Sequence, residues 1–172
     1  MLRLGKFFVV ICGVALAAQL ALAADEAQGD RKSGGTGLPL PRFASLRSDE
    51  VNMRTGPGTR YPIEWVYRQE GLPVEIIAEF EIWRRVRDWE GTEGWIQKAN
   101  LTGRRYAIIT AAKRDLRSSD DSKSGIVAHL EQGAIGQIER CDKDWCKVKF
   151  ANIKGYLAKG DFWGAYPAEE FK

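Results

Sequence analysis

From Val51 to Phe162 the chain is written twice. Val51-Asn52-Met53-Arg54 aligns with Arg114-Asp115-Leu116-Arg117, and Tyr67-Arg68-Gln69-Glu70-Gly71 aligns with His129-Leu130-Glu131-Gln132-Gly133. Ile76 then falls on Ile138, Trp83 on Trp145, Val86 on Val148, Gly94-Trp95-Ile96 on Gly155-Tyr156-Leu157, and Leu101 near Phe162, at an offset that stays between 61 and 63. A repeat of that period implies two small domains of about 60 residues each, placed at 42–104 and 105–166, with a tail at 167–172.

Each copy reads as short strands. Val74, Ile76, Ala78 and Phe80 alternate with Pro73, Glu75, Ile77 and Glu79, the period of two expected of a strand with one buried face. A tight turn at Glu81-Ile82 leads into Trp83–Arg87, and Glu90 to Gly94 forms the next turn before Trp95-Ile96. Gly56-Pro57-Gly58 forbids helix and opens a long loop that closes near Pro62. Helix is expected nowhere in the repeats beyond a turn near Gln97–Leu101. So many short strands in so few residues specify an all-β chain of two tandem, strongly bent antiparallel barrels.

The run Asn52-Met53-Arg54-Thr55-Gly56-Pro57-Gly58, followed by Trp83 with Val86 and by Gly94-Trp95-Ile96, resembles the bacterial SH3-like domain. Phe43 to Gly103 is similar to one such domain, and 105–166 to a more divergent second one ending in Phe162-Trp163-Gly164. The resemblance implies an exported cell-envelope module that binds peptidoglycan or its peptide stems, and does not by itself imply catalysis. It does not extend to proline-rich ligands, because the acidic cluster that mode needs is missing between Arg54 and Pro62.

The N-terminus agrees with export. Arg3 and Lys6 precede an apolar run from Phe7 to Ala18, and Ala21-Leu22-Ala23 supplies small residues at a cleavage site. This is the pattern of a signal peptide cut after Ala23, with periplasmic or secreted localisation and no membrane association after cleavage. Cleavage lowers the formal charge from +3 to +1 and leaves two of the three cysteines. Residues 24–41, rich in Gly, Ser, Pro and charge, are expected to form a disordered leader. In an oxidising compartment Cys141 and Cys146 are expected to pair. With Lys143-Asp144 as a hairpin turn the two face each other across antiparallel strands, within disulfide reach.

Duplication separates scaffold from candidate site. Positions filled alike in both copies serve the fold, so Trp83, Val86, Trp95, Trp145, Val148 and Tyr156 are assigned to the structural core, and Arg54, like Arg117, to a bond that pins the long loop. Features confined to the first copy are better binding candidates. Tyr61, Trp65, Tyr67 and Trp89, beside Arg54, Arg60 and Glu64, form the expected ligand-binding patch, with aromatic faces for aliphatic stems and charges for peptide termini.

Other chemistries are excluded or disfavoured. A single His rules out paired-imidazole zinc sites, and no phosphate loop or dinucleotide fingerprint is present. No cofactor or metal is expected. The charge is too small and too mixed for nucleic acid. Pairing of the cysteines removes the one nucleophile that His129 could activate, and Asp88, Glu90, Glu93, Asp120 and Asp121 read as solvated turn residues. A non-catalytic binder of peptidoglycan or peptide is therefore expected; a periplasmic protein–protein adaptor is the alternative and a cryptic cell-wall hydrolase the remotest.

Overall fold

The structure is a computed structural model that describes residues 35–172. The expected signal peptide and the leader as far as residue 34 lie outside the described residues. Seven strands build the first barrel: β1 (Arg42–Leu46), β2 (Val51–Arg54), β3 (Ile63–Tyr67), β4 (Pro73–Phe80), β5 (Trp83–Arg87), β6 (Glu93–Gln97) and β7 (Leu101–Thr102), in the sheet order β3-β2-β6-β5-β4-β1-β7. Six build the second: β8 (Tyr106–Ile108), β9 (Lys113–Arg117), β10 (Ile126–Glu131), β11 (Ile135–Cys141), β12 (Trp145–Phe150) and β13 (Ile153–Ala158), in the order β10-β9-β13-β12-β11-β8. Every named pairing is antiparallel, and a short 3-10 turn follows β6 and β13 at Lys98–Asn100 and Lys159–Asp161. No helix among the described residues is long and apolar enough to cross a membrane.

Each barrel folds around its own core. Leu46, Val51, Met53, Val74, Val86 and Ile96 fill the first, and Ile109, Leu116, Ile138, Val148, Leu157 and Phe162 the second. Gly94 and Gly155 occupy inward positions where β2 and β9 cross β6 and β13. A Cβ on Gly94 would stand 2.5 Å from the Met53 side chain, and one on Gly155 2.6 Å from the carbonyl oxygen of Arg117. Only glycine lets the strands approach so closely there.

That inward glycine corrects part of the expected core. Side chains alternate across a strand, so with Gly94 and Ile96 facing in, Trp95 faces out and is half-buried; Tyr156, beside Gly155 and Leu157, does the same. Trp145 is likewise half-buried outside the alternation of Cys146, Val148 and Phe150. Val86 and Val148 are fully buried in the two cores. Trp83 is buried at 5% exposure but stands apart from the first core cluster, next to the inward Arg84.

Strand register also moves the repeat by one residue at one place. Tyr67 pairs with Val51, and its counterpart opposite Arg114 is Leu130, not His129; both are buried. The loop before Gly71 is one residue longer than that before Gly133, which absorbs the difference. His129 therefore stands where Val66 stands in the first copy.

At the end of the β4–β5 hairpin the buried Glu79 faces Arg84, with Arg84 Nε 3.2 Å from the carboxylate. The same two positions of the β11–β12 hairpin hold Cys141 and Cys146, which are disulfide-bonded. One copy closes its hairpin with an ion pair and the other with a covalent bond. Each closure also holds a terminal segment. Thr36 donates to Glu79 from its backbone N (2.8 Å) and Oγ1 (2.9 Å), Arg42 bonds the same carboxylate, and Leu40 enters the first core. The expected leader is thus packed on the barrel from Thr36 onward. In the second copy Phe171 exchanges both backbone bonds with Cys141, so the tail is also part of the fold. Reducing the disulfide is expected to lower the stability of the second barrel by about 2 kcal/mol, the loop-closure value for so short a ring, measured by urea melts with and without reductant.

The barrels pack through β1 and the C-terminal segment. Phe43 meets Trp163 edge-on (centroids 4.8 Å apart) and Tyr166 (4.7 Å), while Ile108, Ile135 and Trp163 pack on the first core. Tyr166 donates its hydroxyl to Glu75 Oε1 at 2.7 Å.

Candidate functional site

The long loop of the first barrel is built on Arg54. Its Nη1 donates to the carbonyls of Tyr61 (2.7 Å) and Thr59 (3.2 Å), and Thr55 N reaches Pro62 O at 3.1 Å. The second copy repeats the device: Arg117 Nη1 donates to Ser124 O (2.7 Å) and Ser118 N to Gly125 O (2.9 Å). Tyr61 lies flat on the loop's first glycine, where a Cβ on Gly56 would fall 2.4 Å from the ring. Arg60 covers the Tyr61 ring at 5.2 Å from its centroid. Arg54, Arg60 and Tyr61 thus form one group at the loop.

Trp65 and Tyr67 share one face of β3, with ring centroids 6.5 Å apart, but differ in burial. Tyr67 closes the first core and donates its hydroxyl to Asp88 Oδ2 at 2.9 Å. Burial and then the Asp88 bond push its phenol far above the ordinary range. Asp88, expected to be solvated, is buried, because its Oδ1 also accepts the backbone N–H groups of Glu90 (3.0 Å) and Thr92 (2.9 Å) and so caps the β5–β6 turn. Trp89 packs partly buried against the same core. Trp65, opposite Met53, overhangs the end of the core at 54% exposure, and Glu64 occupies the bulge beside it.

Of the seven candidate residues, Tyr67 belongs to the core, Arg54 to the loop scaffold and Trp89 largely to packing. Arg60, Tyr61, Glu64 and Trp65 remain accessible. Glu64 and Trp65 stand on β3, and Arg60 and Tyr61 in the loop that leads into it; the far side of β3 pairs with no strand among the described residues. The second copy has Ser124, Val127 and Ala128 at the places of Tyr61, Glu64 and Trp65.

A further concavity of about 470 Å³ lies on the second barrel, lined by Lys113, Arg114, Asp115, Arg117, His129 and Asp161. None of these is in the patch read from the sequence. The available signal is the set of charges at positions where the first copy has Val51, Asn52, Val66 and Asn100.

A family model described as the bacterial SH3 domain matches residues 47–103 and again 112–164. The putative N-acetylmuramoyl-L-alanine amidase YrvJ of Bacillus subtilis (strain 168) is 24% identical over 126 residues, covering 67% of this chain and 24% of that protein. Among solved structures, NlpC2 from Trichomonas vaginalis is 12% identical with a TM-score of 0.34, covering 73% of this chain and 49% of its own. An NlpC/P60 family protein from Bacillus cereus is 15% identical with a TM-score of 0.33, covering 72% and 57%. The chain spans about a quarter of the curated relative and about half of these solved chains. Bacterial SH3 domains are typical cell-wall-binding modules. With both matches falling on the two barrels, this chain belongs to the bacterial SH3 domain family, in two tandem copies.

Proposed function

We propose that the protein is a non-catalytic, extracytoplasmic binder of peptidoglycan that recognises peptide stems along β3 of the first barrel. The observation that carries this reading is the exposed Trp65 on a strand edge that is unpaired among the described residues, flanked by Glu64 and by the loop that presents Arg60 and Tyr61. An extended peptide laid there can take backbone bonds from the strand edge, bury an aliphatic stem on the indole, and meet charges of both signs. Trp65→Ala should weaken cosedimentation with purified sacculi by about tenfold, as for a central aromatic anchor. Its melting temperature should stay near wild type, because the side chain is exposed. Absence of sedimentation by the wild-type protein at low and moderate salt defeats the proposal. Turbidity of the same sacculi should not fall.

A second reading, an envelope protein adaptor, is favoured by one observation. Ile63 and Val66 on β3, and Ile126 and Val127 on its counterpart β10, are exposed apolar residues on two sheet edges. Crosslinking in cells that captures a protein rather than wall fragments, and does so less in the Trp65→Ala variant, selects it.

A further inference from the structure

Between the two copies, four spatially clustered positions change together. Val51, fully buried, becomes Arg114, and Asn100 becomes Asp161. Arg114 Nε lies 2.9 Å from Asp161 Oδ1, an ion pair without the alignment of a hydrogen bond. The cross-strand pair Asn52–Val66 becomes Asp115–His129, joined Oδ1 to Nδ1 at 2.7 Å. A barrel that needed only to fold could keep the valine, since exchanging buried apolar surface for a half-buried ion pair, with the Arg114 Nε buried and without a hydrogen bond, forfeits stability. All four substituted residues instead line one concavity.

Arg114 and Asp161 neutralise each other, so the remaining charges decide what the groove attracts. Lys113 and Arg117 have no carboxylate partner among the described residues; Arg117 spends one nitrogen on Ser124 O. A second concavity, of about 440 Å³, continues from Lys113 and His129 to Glu131 and Gln132. Lys113 and Arg117 thus share the groove with the carboxylates of Asp115 and Glu131, a balance of charge that suits a zwitterionic peptide. From Arg117 to Lys113 the strand runs four residues, roughly 13 Å, the length of an extended tripeptide or tetrapeptide. Asp115 and Asp161 in the walls disfavour a polyanion but can accept N–H groups from a peptide backbone.

We propose that the second barrel has its own binding groove, between β9, β10 and the Lys159–Asp161 turn, for a short peptide bearing a free carboxylate. This goes beyond the reading above, which puts the ligand on the first barrel. The carboxylate is taken by Lys113, the peptide runs along the strand towards Arg117, and its N–H groups face Asp115 and Asp161.

The test is a nuclear magnetic resonance titration of the full chain with trialanine, its C-terminal amide, and inorganic phosphate. Trialanine should shift the resonances of Lys113, Asp115, Arg117 and His129, and the amide should bind at least about fivefold more weakly. Restoring the first copy's residues (Arg114→Val, Asp115→Asn, His129→Val and Asp161→Asn together) should abolish the shifts while the melting temperature holds or rises. Lys113→Glu, at an exposed position, should weaken binding even if the fourfold variant folds poorly. Trp65→Ala should leave this titration unchanged, so failure here and failure of sacculus binding are distinguishable. No shifts up to about 10 mM, the limit for a weak specific site, overturns the proposal. So do equal shifts from the amide, tighter binding of phosphate, or shifts that fall on β3.

Discussion

Glu79→Ala should destabilise the first barrel by about 3–5 kcal/mol, the usual cost of removing one partner from a buried ion pair. The carboxylate is 1% exposed and the Arg84 side chain 3%. Without Glu79, Arg84 keeps only Nη1 bonds to the carbonyls of Glu81 and Trp83, and its charge is left uncompensated inside the barrel. Thr36 and Arg42 lose their anchor as well. Burial by itself pushes the Glu79 pKa up, but hydrogen bonds from Arg42 and Thr36 outweigh it and hold it at about 2, below its ordinary 4.5. A depressed folded-state pKa means the stabilisation is complete above the ordinary value and is lost as pH falls from 4.5 towards 2. Urea melts at pH 7 and pH 3 should therefore differ less for Glu79→Ala than for the wild type. The disulfide at the equivalent place in the second barrel does not titrate. Protonation of Glu79 should loosen the first hairpin, and reductant the second.

The repeat made the fold legible, because two barrels of one design leave a double trace in the order of turns, glycines and apolar positions. Arg54 and Arg117 were readable as loop pins from their recurrence alone, and they donate to equivalent loop carbonyls, Tyr61 O and Ser124 O. Trp95 and Tyr156 misled for a physical reason. Recurrence marks a position as structural, but strand alternation decides which way it faces, and Gly94 and Gly155 take the inward places. Asp88 misled because a turn acid between Arg87 and Trp89, close to Glu90, looks solvated until a phenol from another strand reaches it. The equivalence of Glu79–Arg84 with Cys141–Cys146 was present in the numbering at an offset of 62, yet residues so unlike in chemistry do not align by eye. The second-barrel groove was hidden by the one-residue shift that set His129 against Tyr67.

Phe43→Ala should cost about 3–5 kcal/mol, as for truncating a buried aromatic, and should change the form of the unfolding transition as well as its midpoint. Phe43 is 8% exposed, yet it faces away from the first core, on the strand position paired with Glu75. Its ring is enclosed by Trp163, Tyr166 and the Arg105 guanidinium, all contributed by residues after the first repeat. The neighbouring Glu75 receives Tyr166 from that segment and Arg87 from its own barrel (2.6 Å), so charge and aromatic contacts meet at one place. Ile108 completes the link: it belongs to the first core while exchanging backbone bonds with Trp163. Two barrels joined this way should melt together, and calorimetry of the wild type should give one transition. Removing the ring leaves each core intact but takes away the aromatic part of the contact through which either barrel stabilises the other. Two transitions should then separate, the first shifted by acid through Glu79 and the second by reductant through Cys141–Cys146. A single transition in Phe43→Ala, merely displaced to lower temperature, would place the coupling in the Ile108 crossing instead.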